Sequence, residues 1–354
     1  MKKNKIKLLK EYALPIMIIF VVWSIGFVGI YFYSKSRTSG VLGEVTEAVF
    51  QKEQSCVLRR KIDGICLKAG EKDAGVFAVM IDNLREARPQ SGLSQASLVY
   101  EAVAEGDITR FLAVFSLNDS IEKIGPVRSA RPYYIDFARE FKCPYLHVGG
   151  SPDALDYLSS AYKFDLNEMS RGQYFWRDKN RYAPHNVYSS TEEVKKAIEK
   201  YKWEVNDEFD AFVFKEDEKE ELRGQVKKIN VYFSLADFVV NWEYDEKNNV
   251  YERSVSGQNQ KDANDGESIK AKNLVVIPAR YVVLDNYGRQ ELVDFNAGTG
   301  VAYVFQDGKV IEGTWKKENK NTRRKFFDQS GKEINFNVGQ TWIEILPKEN
   351  KLIY

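Results

Sequence analysis

The first strong pattern along this chain is a lysine-rich start followed by a long uncharged apolar run. Lysines occupy positions 2, 3, 5, 7 and 10, and residues 12–34 carry no charge and are rich in Ile, Val, Phe and Trp. About 20 such residues cross a bilayer as a helix, and flanking lysines stay on the cytoplasmic side. The pattern predicts a basic cytoplasmic tail over residues 1–11, a transmembrane anchor over 12–34 and an extracytoplasmic location for the bulk of the chain.

A cleaved signal peptide is the alternative interpretation of this start. It would have a shorter apolar region, followed by small residues at a cleavage site. Here Ser34-Lys35-Ser36-Arg37 follows, with neither an A-x-A pattern nor a cysteine for lipidation. The sequence favours an uncleaved single-pass anchor, which makes the cytoplasmic membrane the first expected partner.

Beyond the anchor, strand and helix patterns alternate. Residues 35–70 carry Ser, Gly and charge without sustained periodicity and are interpreted as an extracytoplasmic stalk. The apolar run 76–81 is typical of a strand that is buried on both faces, and further strands are expected at 98–100, 110–116 and 145–148. Helices are expected from Pro132, over 153–161, and from the capping box at Ser190 to about Tyr201. This alternation predicts an α/β domain over residues 71–210, with a mixed or mostly parallel sheet.

The pattern changes after a charged stretch. Residues 211–227 include the run KEDEKEELRGQ and are interpreted as a solvated linker. Short strand-like runs separated by turn residues then continue to the end, and Asp307-Gly308 is a strong hairpin signal. Residues 228–354 are therefore predicted to form a mostly antiparallel β domain.

Composition narrows the possible functions. A net charge of +1 argues against a dedicated nucleic-acid binder. Phosphate-binding and dinucleotide-binding glycine motifs are absent, and the two histidines and three cysteines lack metal-ligand spacing, so neither cofactor nor metal is expected. Cys56 and Cys66 either close a small disulfide loop or remain unpaired thiols, and the sequence leaves both open.

The turn from Gly125 to Pro132 is the leading candidate for binding chemistry. It places Arg128 and Arg131 before a predicted helix, and Arg110 lies in the neighbouring strand. Guanidinium groups at such a position suit an anionic ligand. The alternative is that these arginines pair with acidic residues and brace the fold, and the candidate partners are Asp82, Glu101, Glu105, Asp107 and Asp136.

Other candidates are Asp82, at a predicted strand end, and His185-Asn186, in a proline-marked loop. Asp82 and His185 suit general acid–base chemistry, while Arg88, His185 and Asn186 would line the rim of the anion site. The alternatives are an Asx cap for Asp82 and packing on aromatic residues for His185. His147, within an apolar strand, is interpreted as a core residue.

Several motifs resemble the YerB-like family of bacterial envelope proteins. They are VMIDNLREARPQSGLSQASLVYEAVAEGDITRFLAVFS, IGPVRSARPYYIDFA, HVGGSPDA, APHNVYSS, GVAYVFQDGKVIEGTW and FFDQSGKEINFNVGQTWIEILP, within residues 74–348. The resemblance implies an envelope location and a two-domain layout, and it supplies no catalytic residues because the family has no known function. Members are often lipoproteins, and this chain departs from them in lacking a lipobox cysteine. The order of strand, arginine turn and helix is loosely similar to the LytR-CpsA-Psr phosphotransferases, whose Arg-Asp signature is absent here.

These observations leave three hypotheses. The chain binds an anionic ligand, a cell-wall polymer or an envelope protein partner through Arg88, Arg110, Arg128, Arg131, His185 and Asn186. Alternatively, it is an enzyme acting on lipid-linked or cell-wall phosphate, with Asp82 or His185 as acid or base. In the third, it is a structural scaffold whose arginines are all paired.

Overall fold

The computed structural model describes residues 56–234, 236–285 and 289–354. The predicted basic tail, the transmembrane anchor and residues 35–55 of the predicted stalk lie outside these ranges. Within them, no helix combines the length and apolarity that crossing a membrane requires.

The first half of the described chain alternates strands and helices. Its strands are β1 (Val76–Asp82), β2 (Leu98–Glu105), β3 (Ile108–Ser116), β4 (Tyr145–His147), β5 (Asp165–Asn167), β6 (Trp176–Arg177) and β7 (Val187–Tyr188). Its helices are α1 (Pro132–Arg139), α2 (Pro152–Ala161), α3 (Glu168–Arg171) and α4 (Thr191–Tyr201). Short 3-10 turns occur at Arg85–Ala87, Leu93–Gln95 and Gly172–Tyr174.

The second half is built mainly of strands. They are β8 (Phe214–Lys215), β9 (Lys228–Tyr232), β10 (Val239–Asp245), β11 (Val250–Val255), β12 (Gln258–Asn259), β13 (Lys270–Ala271), β14 (Asn273–Val283), β15 (Gln290–Val293), β16 (Gly298–Gln306), β17 (Lys309–Lys317), β18 (Lys325–Asp328), β19 (Phe336–Asn337), β20 (Thr341–Pro347) and β21 (Leu352–Ile353). The 3-10 turns are Glu220–Leu222 and Ala236–Phe238.

One large sheet runs through both halves. Its strand order is β18-β17-β16-β14-β20-β2-β3-β1-β4-β5, and β15 pairs with β14. The halves join where β2 pairs in parallel with β20, from Leu98 opposite Thr341 to Ala102 opposite Ile345. The sheet is mixed, since β3 is antiparallel to both of its neighbours, β1 and β2, while β1, β4 and β5 are parallel. The α/β-then-β order matches the sequence expectation, but residues 58–354 form one compact unit.

Two apolar cores cover the two faces of this sheet. One face packs against α1 and α2 through residues such as Phe137 and Leu158. The other packs against α4 and a second sheet, β12-β11-β10-β9-β21 with β13 beside β11, through residues such as Trp242 and Val240. Every residue of β1 is buried, as expected for a strand covered on both faces.

Residues 58–70, which were predicted to be part of the stalk, are instead part of the folded protein. They belong to the compact unit, because Ile62 enters a core and the buried Arg60 forms ion pairs with Asp63 and Asp119. Cys56 and Cys66 are disulfide-bonded, and Cys143 is a free, buried thiol. The closed-loop alternative for these two cysteines is therefore the one that the structure contains.

The stretch 211–227 is also more than a solvated linker. Phe212 is buried, and β8 pairs in parallel with β19, with Lys215 opposite Asn337. The predicted hairpin turn at Asp307-Gly308 joins β16 to β17, and both residues adopt the positive φ angles of a primed turn.

Candidate functional site

Asp82 lies at the end of β1, and its buried carboxylate is the centre of the candidate site. The side chain is 1% exposed, and Oδ1 accepts a hydrogen bond from the Leu84 amide at 3.0 Å. The Asp82 amide donates to the Pro126 carbonyl at 2.9 Å, which holds the arginine turn against the strand end. The Asx turn at Asp82 is thus present, and it leaves Oδ2 for other partners.

Arg128 and His185 both meet Asp82 Oδ2. The Nε atom of Arg128 lies 2.9 Å from it, and the Nδ1 atom of His185 lies 2.6 Å from it. His185 reaches this position because the arginine turn runs beside its loop, with the Val127 amide donating to the Val187 carbonyl at 2.7 Å. We call Asp82, Arg128 and His185 the Asp82 cluster.

The turn can approach this closely because residue 125 is glycine. Its φ angle of +147° is one that other residues rarely adopt, and a Cβ atom there would lie 2.7 Å from the Val187 carbonyl oxygen. The loops that meet at the site contain cis peptide bonds before Pro89, Pro126 and Pro184.

The contact with Asp82 sets the hydrogen on the His185 ring. A carboxylate only accepts hydrogen bonds, so Nδ1 carries the hydrogen and donates it. Nε2 has no hydrogen-bond partner among the described residues, and the side chain is 14% exposed. His185 is thus held through one nitrogen while the other is available to a ligand or a proton.

Arg128 differs from Arg88, Arg110 and Arg131 in that neither of its terminal Nη groups has a hydrogen-bond partner among the described residues. Its side chain is 19% exposed, and its buried Nε atom makes no hydrogen bond to a described residue although it lies 2.9 Å from Asp82 Oδ2. Burial lowers the pKa of Arg128, Asp82 raises it, and Arg110 and Arg131 lower it further. An anion bound to the two Nη groups would offset the free-energy cost of burying the Arg128 charge. It would also reduce the repulsion between Arg128 and the other two arginines.

Arg110 and Arg131 are held by Glu105. Both guanidinium groups donate to its carboxylate, Arg110 also donates to the Ser129 carbonyl at 3.3 Å, and Arg131 donates to the Ala130 carbonyl at 2.7 Å. Burial would raise the pKa of Glu105, but the two cations outweigh it and keep that pKa below its ordinary value. For these two residues the structure matches the bracing alternative, with Glu105 as the partner.

Arg88 and Asn186 also have partners within the protein. Arg88 donates to the Asn83 carbonyl at 2.9 Å and the Asp237 carbonyl at 3.0 Å, and burial, followed by the charge of Arg253, lowers its pKa to about 10. It borders a cleft of about 820 Å³ between the 85–89 loop and the second sheet. Asn186 is buried and accepts a hydrogen bond from Arg177 at 3.2 Å, so the structure does not place it with Arg128.

Several residues that support the site were not singled out from the sequence. Gln90 donates to the Asp82 carbonyl at 2.9 Å, and Arg181 ties the two loops together by donating to the Pro89 carbonyl at 3.1 Å. The only local signal was their position in proline-containing loops. His147 is fully buried, with its nitrogens 2.6 Å from the Gly149 carbonyl and 2.7 Å from an Asp165 oxygen, which agrees with a core role.

The described residues contain no group of three His, Cys, Asp or Glu side chains arranged to hold a metal ion. The chemistry that this site offers is that of a guanidinium group, an imidazole and their shared carboxylate. Three guanidinium groups (Arg110, Arg128 and Arg131) face two carboxylates (Asp82 and Glu105), so the local charge is positive.

Comparison with known proteins places the chain in a family. Residues 64–204 match the N-terminal domain and residues 229–343 the C-terminal domain of the DUF3048 proteins, which are described as being of unknown function. The chain is similar to YerB of Bacillus subtilis (strain 168), provisionally described as a lipoprotein, with 36% identity over 292 residues, covering 82% of this chain and 86% of YerB. It is also similar to the crystal structure of YerB from Bacillus subtilis, with a TM-score of 0.75 and 32% identity, covering 84% of this chain and 100% of the solved chain. The chain therefore belongs to the YerB-like DUF3048 family of two-domain proteins.

Proposed function

We propose that the chain is a membrane-anchored extracytoplasmic protein that binds an anionic group of an envelope component at the Asp82 cluster. The observation that carries this proposal is that the two Nη groups of Arg128 and the Nε2 atom of His185 have no hydrogen-bond partner among the described residues, while both side chains contact the same Asp82 oxygen. Two donors on a planar guanidinium match two oxygens of a phosphate or carboxylate group.

The proposed location rests on the lysine-flanked apolar run at residues 12–34 and on the provisional description of YerB as a lipoprotein. Both features would attach a protein to a membrane, a lipid in the case of YerB and an apolar helix in the case of this chain. In intact protoplasts, added protease should digest residues 35–354. Protection of those residues would contradict the proposed orientation.

The charges around the Asp82 cluster favour an anion over a neutral or cationic ligand. Glu105 offsets part of the charge of Arg110 and Arg131, and Asp82 offsets that of Arg128, yet the arginines remain in excess by one. Because Arg128 and His185 are mostly buried, an anion there is screened less than one at the surface. The site would therefore bind anions in preference to neutral or cationic ligands, and Asp82 would fix the orientation of the donors.

Titration calorimetry of the full chain with inorganic phosphate, and separately with a poly(glycerol phosphate) polymer, tests this proposal. Arg128→Ala removes hydrogen bonds to a charged group, which contribute about 1.5–3 kcal/mol, so binding should weaken about 10- to 100-fold. Arg280→Ala, an exposed arginine at 53% side-chain exposure, is the matched control and should bind as the parent does. Unchanged affinity in Arg128→Ala would contradict the proposal. A large fall in the melting temperature of this variant would show that Arg128 stabilises the fold instead of binding a ligand.

A second candidate function is an enzyme that transfers or hydrolyses a phosphate group of a lipid-linked or cell-wall substrate. The observation that favours it is the Asp82–His185 contact, which orients an imidazole beside a cation and leaves its Nε2 without a partner among the described residues, as general acid–base catalysis requires. A bis(4-nitrophenyl) phosphate assay tests it, and His185→Gln should lower the rate about 100-fold or more while phosphate still binds. If the parent protein binds phosphate but does not hydrolyse the substrate, the enzyme hypothesis is wrong and only the binding function remains.

A scaffold is the remaining alternative from the sequence. It fits Arg110 and Arg131, which are satisfied by Glu105 and by backbone carbonyls. It accounts less well for Arg128, whose terminal donors lack described partners. The Arg128→Ala binding measurement separates the two roles.

A further inference from the structure

A second cluster of polar side chains, far from the Asp82 cluster in sequence, joins β8, β19 and the β16–β17 turn. The Nζ atom of Lys215 lies 2.5 Å from Oδ1 of Asn337 and 2.6 Å from Oδ2 of Asp307. Nδ2 of Asn337 donates to Oδ1 of Asp307 at 2.7 Å. Each of the three side chains therefore contacts both of the others, so an amine, a carboxamide and a carboxylate meet at one point.

The backbone holds these groups in place. Lys215 and Asn337 are direct partners in the parallel β8–β19 pair, although 122 residues separate them. The Asn337 amide donates to the Asn273 side chain at 2.8 Å, and Asn273 Nδ2 donates back to the Asn337 carbonyl at 2.9 Å. Asp307 is fixed in the primed turn at a φ of 52°.

The surroundings limit access of water to the carboxamide. The side chain of Asp307 is 4% exposed, and Asn337 is fully buried. Asn249 donates to Asp307 Oδ1 at 2.8 Å, and Tyr244 donates to Asn249 at 2.8 Å. Although burial would raise the pKa of Asp307, hydrogen bonds from Lys215, Asn249 and Asn337 keep it lowered, so Asp307 is ionised and its carboxylate has room for a proton.

We propose that Lys215 and Asn337 form an intramolecular isopeptide bond, with Asp307 as the proton-transfer group. The proposal rests on the arrangement of a nucleophilic amine, an electrophilic carboxamide and a carboxylate that contacts both. A simple ion pair between Lys215 and Asp307 does not require a buried carboxamide bridging the same two groups. This site is separate from the proposed ligand site and does not depend on it.

The reaction balances with these three groups alone. Asp307 takes a proton from the Lys215 ammonium, and the neutral Nζ attacks Cγ of Asn337. The Cγ–Nδ2 bond breaks as Asp307 donates a proton to the departing nitrogen and accepts one from Nζ. Ammonia leaves, takes up the proton held by Asp307 and departs as ammonium, so a secondary amide remains beside a carboxylate. No oxidant, metal or cofactor is consumed.

The bond would give β8 a covalent link to β19. It would close a loop from residue 215 to residue 337, which includes the whole second sheet except β21. Such a link restricts the unfolded chain and survives reducing agents, unlike the Cys56–Cys66 disulfide. For a protein outside the cytoplasm, it would provide resistance to unfolding without a thiol.

Mass spectrometry of the purified full-length protein tests the proposal. After reduction and trypsin digestion, we expect one branched peptide that joins the Lys215 and Asn337 segments. Its mass should be lower than the sum of the two peptides by one ammonia molecule. Two separate peptides of unmodified mass from the folded parent protein would overturn the proposal.

Variants assign the roles of the three residues. Lys215→Arg keeps the positive charge but removes the primary amine, so the branched peptide should disappear while the fold remains. Asp307→Asn is compatible with a positive φ and should abolish or greatly slow the linkage. Lys272→Arg, altering a lysine paired with Asp217 at 2.5 Å near the same region, is the matched control and should retain it. Full linkage in Asp307→Asn would contradict the proposed role of Asp307 in proton transfer.

Discussion

Three arginines of one sequence neighbourhood have different environments because of two carboxylates. Glu105 accepts hydrogen bonds from both Arg110 and Arg131, whereas Asp82 contacts Arg128 through Nε only. The guanidinium nitrogen that meets the acid therefore separates the two roles, because Arg110 and Arg131 use a terminal Nη group and Arg128 uses Nε. At the residue scale, Glu105 is as important to the proposed site as the arginines themselves.

We expect Glu105→Gln to lower the free energy of unfolding by about 2 kcal/mol at about pH 7, because two mostly buried cations lose their shared anion. The folded-state pKa of Glu105 lies below its ordinary value of 4.5, so its stabilisation is complete above 4.5 and is lost as the pH falls through the folded pKa. Urea denaturation at about pH 7 and about pH 4 measures the difference, which should shrink at the lower pH. Glu86→Gln, on an exposed residue of the neighbouring turn, should change neither value. A constant difference across this range would contradict the assignment.

At the scale of elements, the junction between β2 and β20 carries a buried polar network. Glu101 and Glu344 face each other in the strand register, and Arg253 from β11 donates to Glu101. The Trp242 indole donates to Glu344 at 2.9 Å, so the network also links the two sheets. Burial first, and then the charge of Glu101, raise the pKa of Glu344 well above its ordinary value, so the fold favours the neutral form of this carboxyl.

This neutral carboxyl predicts a pH dependence of the opposite sign to that of Glu105. Above the ordinary pKa of 4.5, unfolded Glu344 loses its proton while folded Glu344 keeps it, so Glu344 makes the protein less stable as the pH rises. Glu344→Gln keeps a neutral side chain that accepts from Trp242, so it should remove this loss. We expect a flatter plot of unfolding free energy against pH between about pH 5 and about pH 8, with the variant at least as stable as the parent at the upper end.

Unfolding curves across that range provide the measurement. The control is Glu243→Gln, since Glu243 lies in the same second sheet with 70% of its side chain exposed. The control should follow the parent curve. If Glu344→Gln also runs parallel to the parent, Glu344 is ionised in the folded protein and the interpretation of the junction is wrong.

At the scale of the whole molecule, the two family domains share one sheet. The matches end at residue 204 and begin again at 229, yet β2 of the first pairs with β20 of the second. The core on each face of the sheet likewise contains residues from both halves. The two family matches therefore divide the sequence but do not correspond to two separately packed domains. The compact unit spans residues 58–354.

We expect neither half to fold alone. A fragment of residues 58–227 would expose the edge of β2 and leave Glu101 without Arg253, and an uncompensated buried charge costs about 3–5 kcal/mol. Circular dichroism of fragments 58–227 and 228–354 should show no cooperative melting, whereas residues 58–354 should melt in a single transition. Cooperative unfolding of either isolated half would show that the shared sheet is a late docking contact.

Local signals determined much of the secondary structure. The apolar run became β1, Pro132 begins α1, Ser190 caps α4 through the Glu193 amide at 3.2 Å, and Asp307-Gly308 turns between β16 and β17. Each of these features depends on residues a few positions apart, so the sequence contains the whole interaction. The α/β-then-β order was predictable for the same reason, whereas the family was predicted from the resemblance of whole motifs.

The tertiary structure alone decided which residues meet. Asp82 and His185 are 103 positions apart, and Lys215 and Asn337 are 122 apart. No local periodicity encodes such pairs, because they arise when strands and loops from distant segments pack together. The sequence could name Arg110, Arg128 and Arg131 as a group and Glu105 among their partners, but only packing could assign Glu105 to two of them. That assignment leaves Arg128, in contact with Asp82 beside His185, as the member of this group whose two terminal Nη groups lack partners in the described part of the chain.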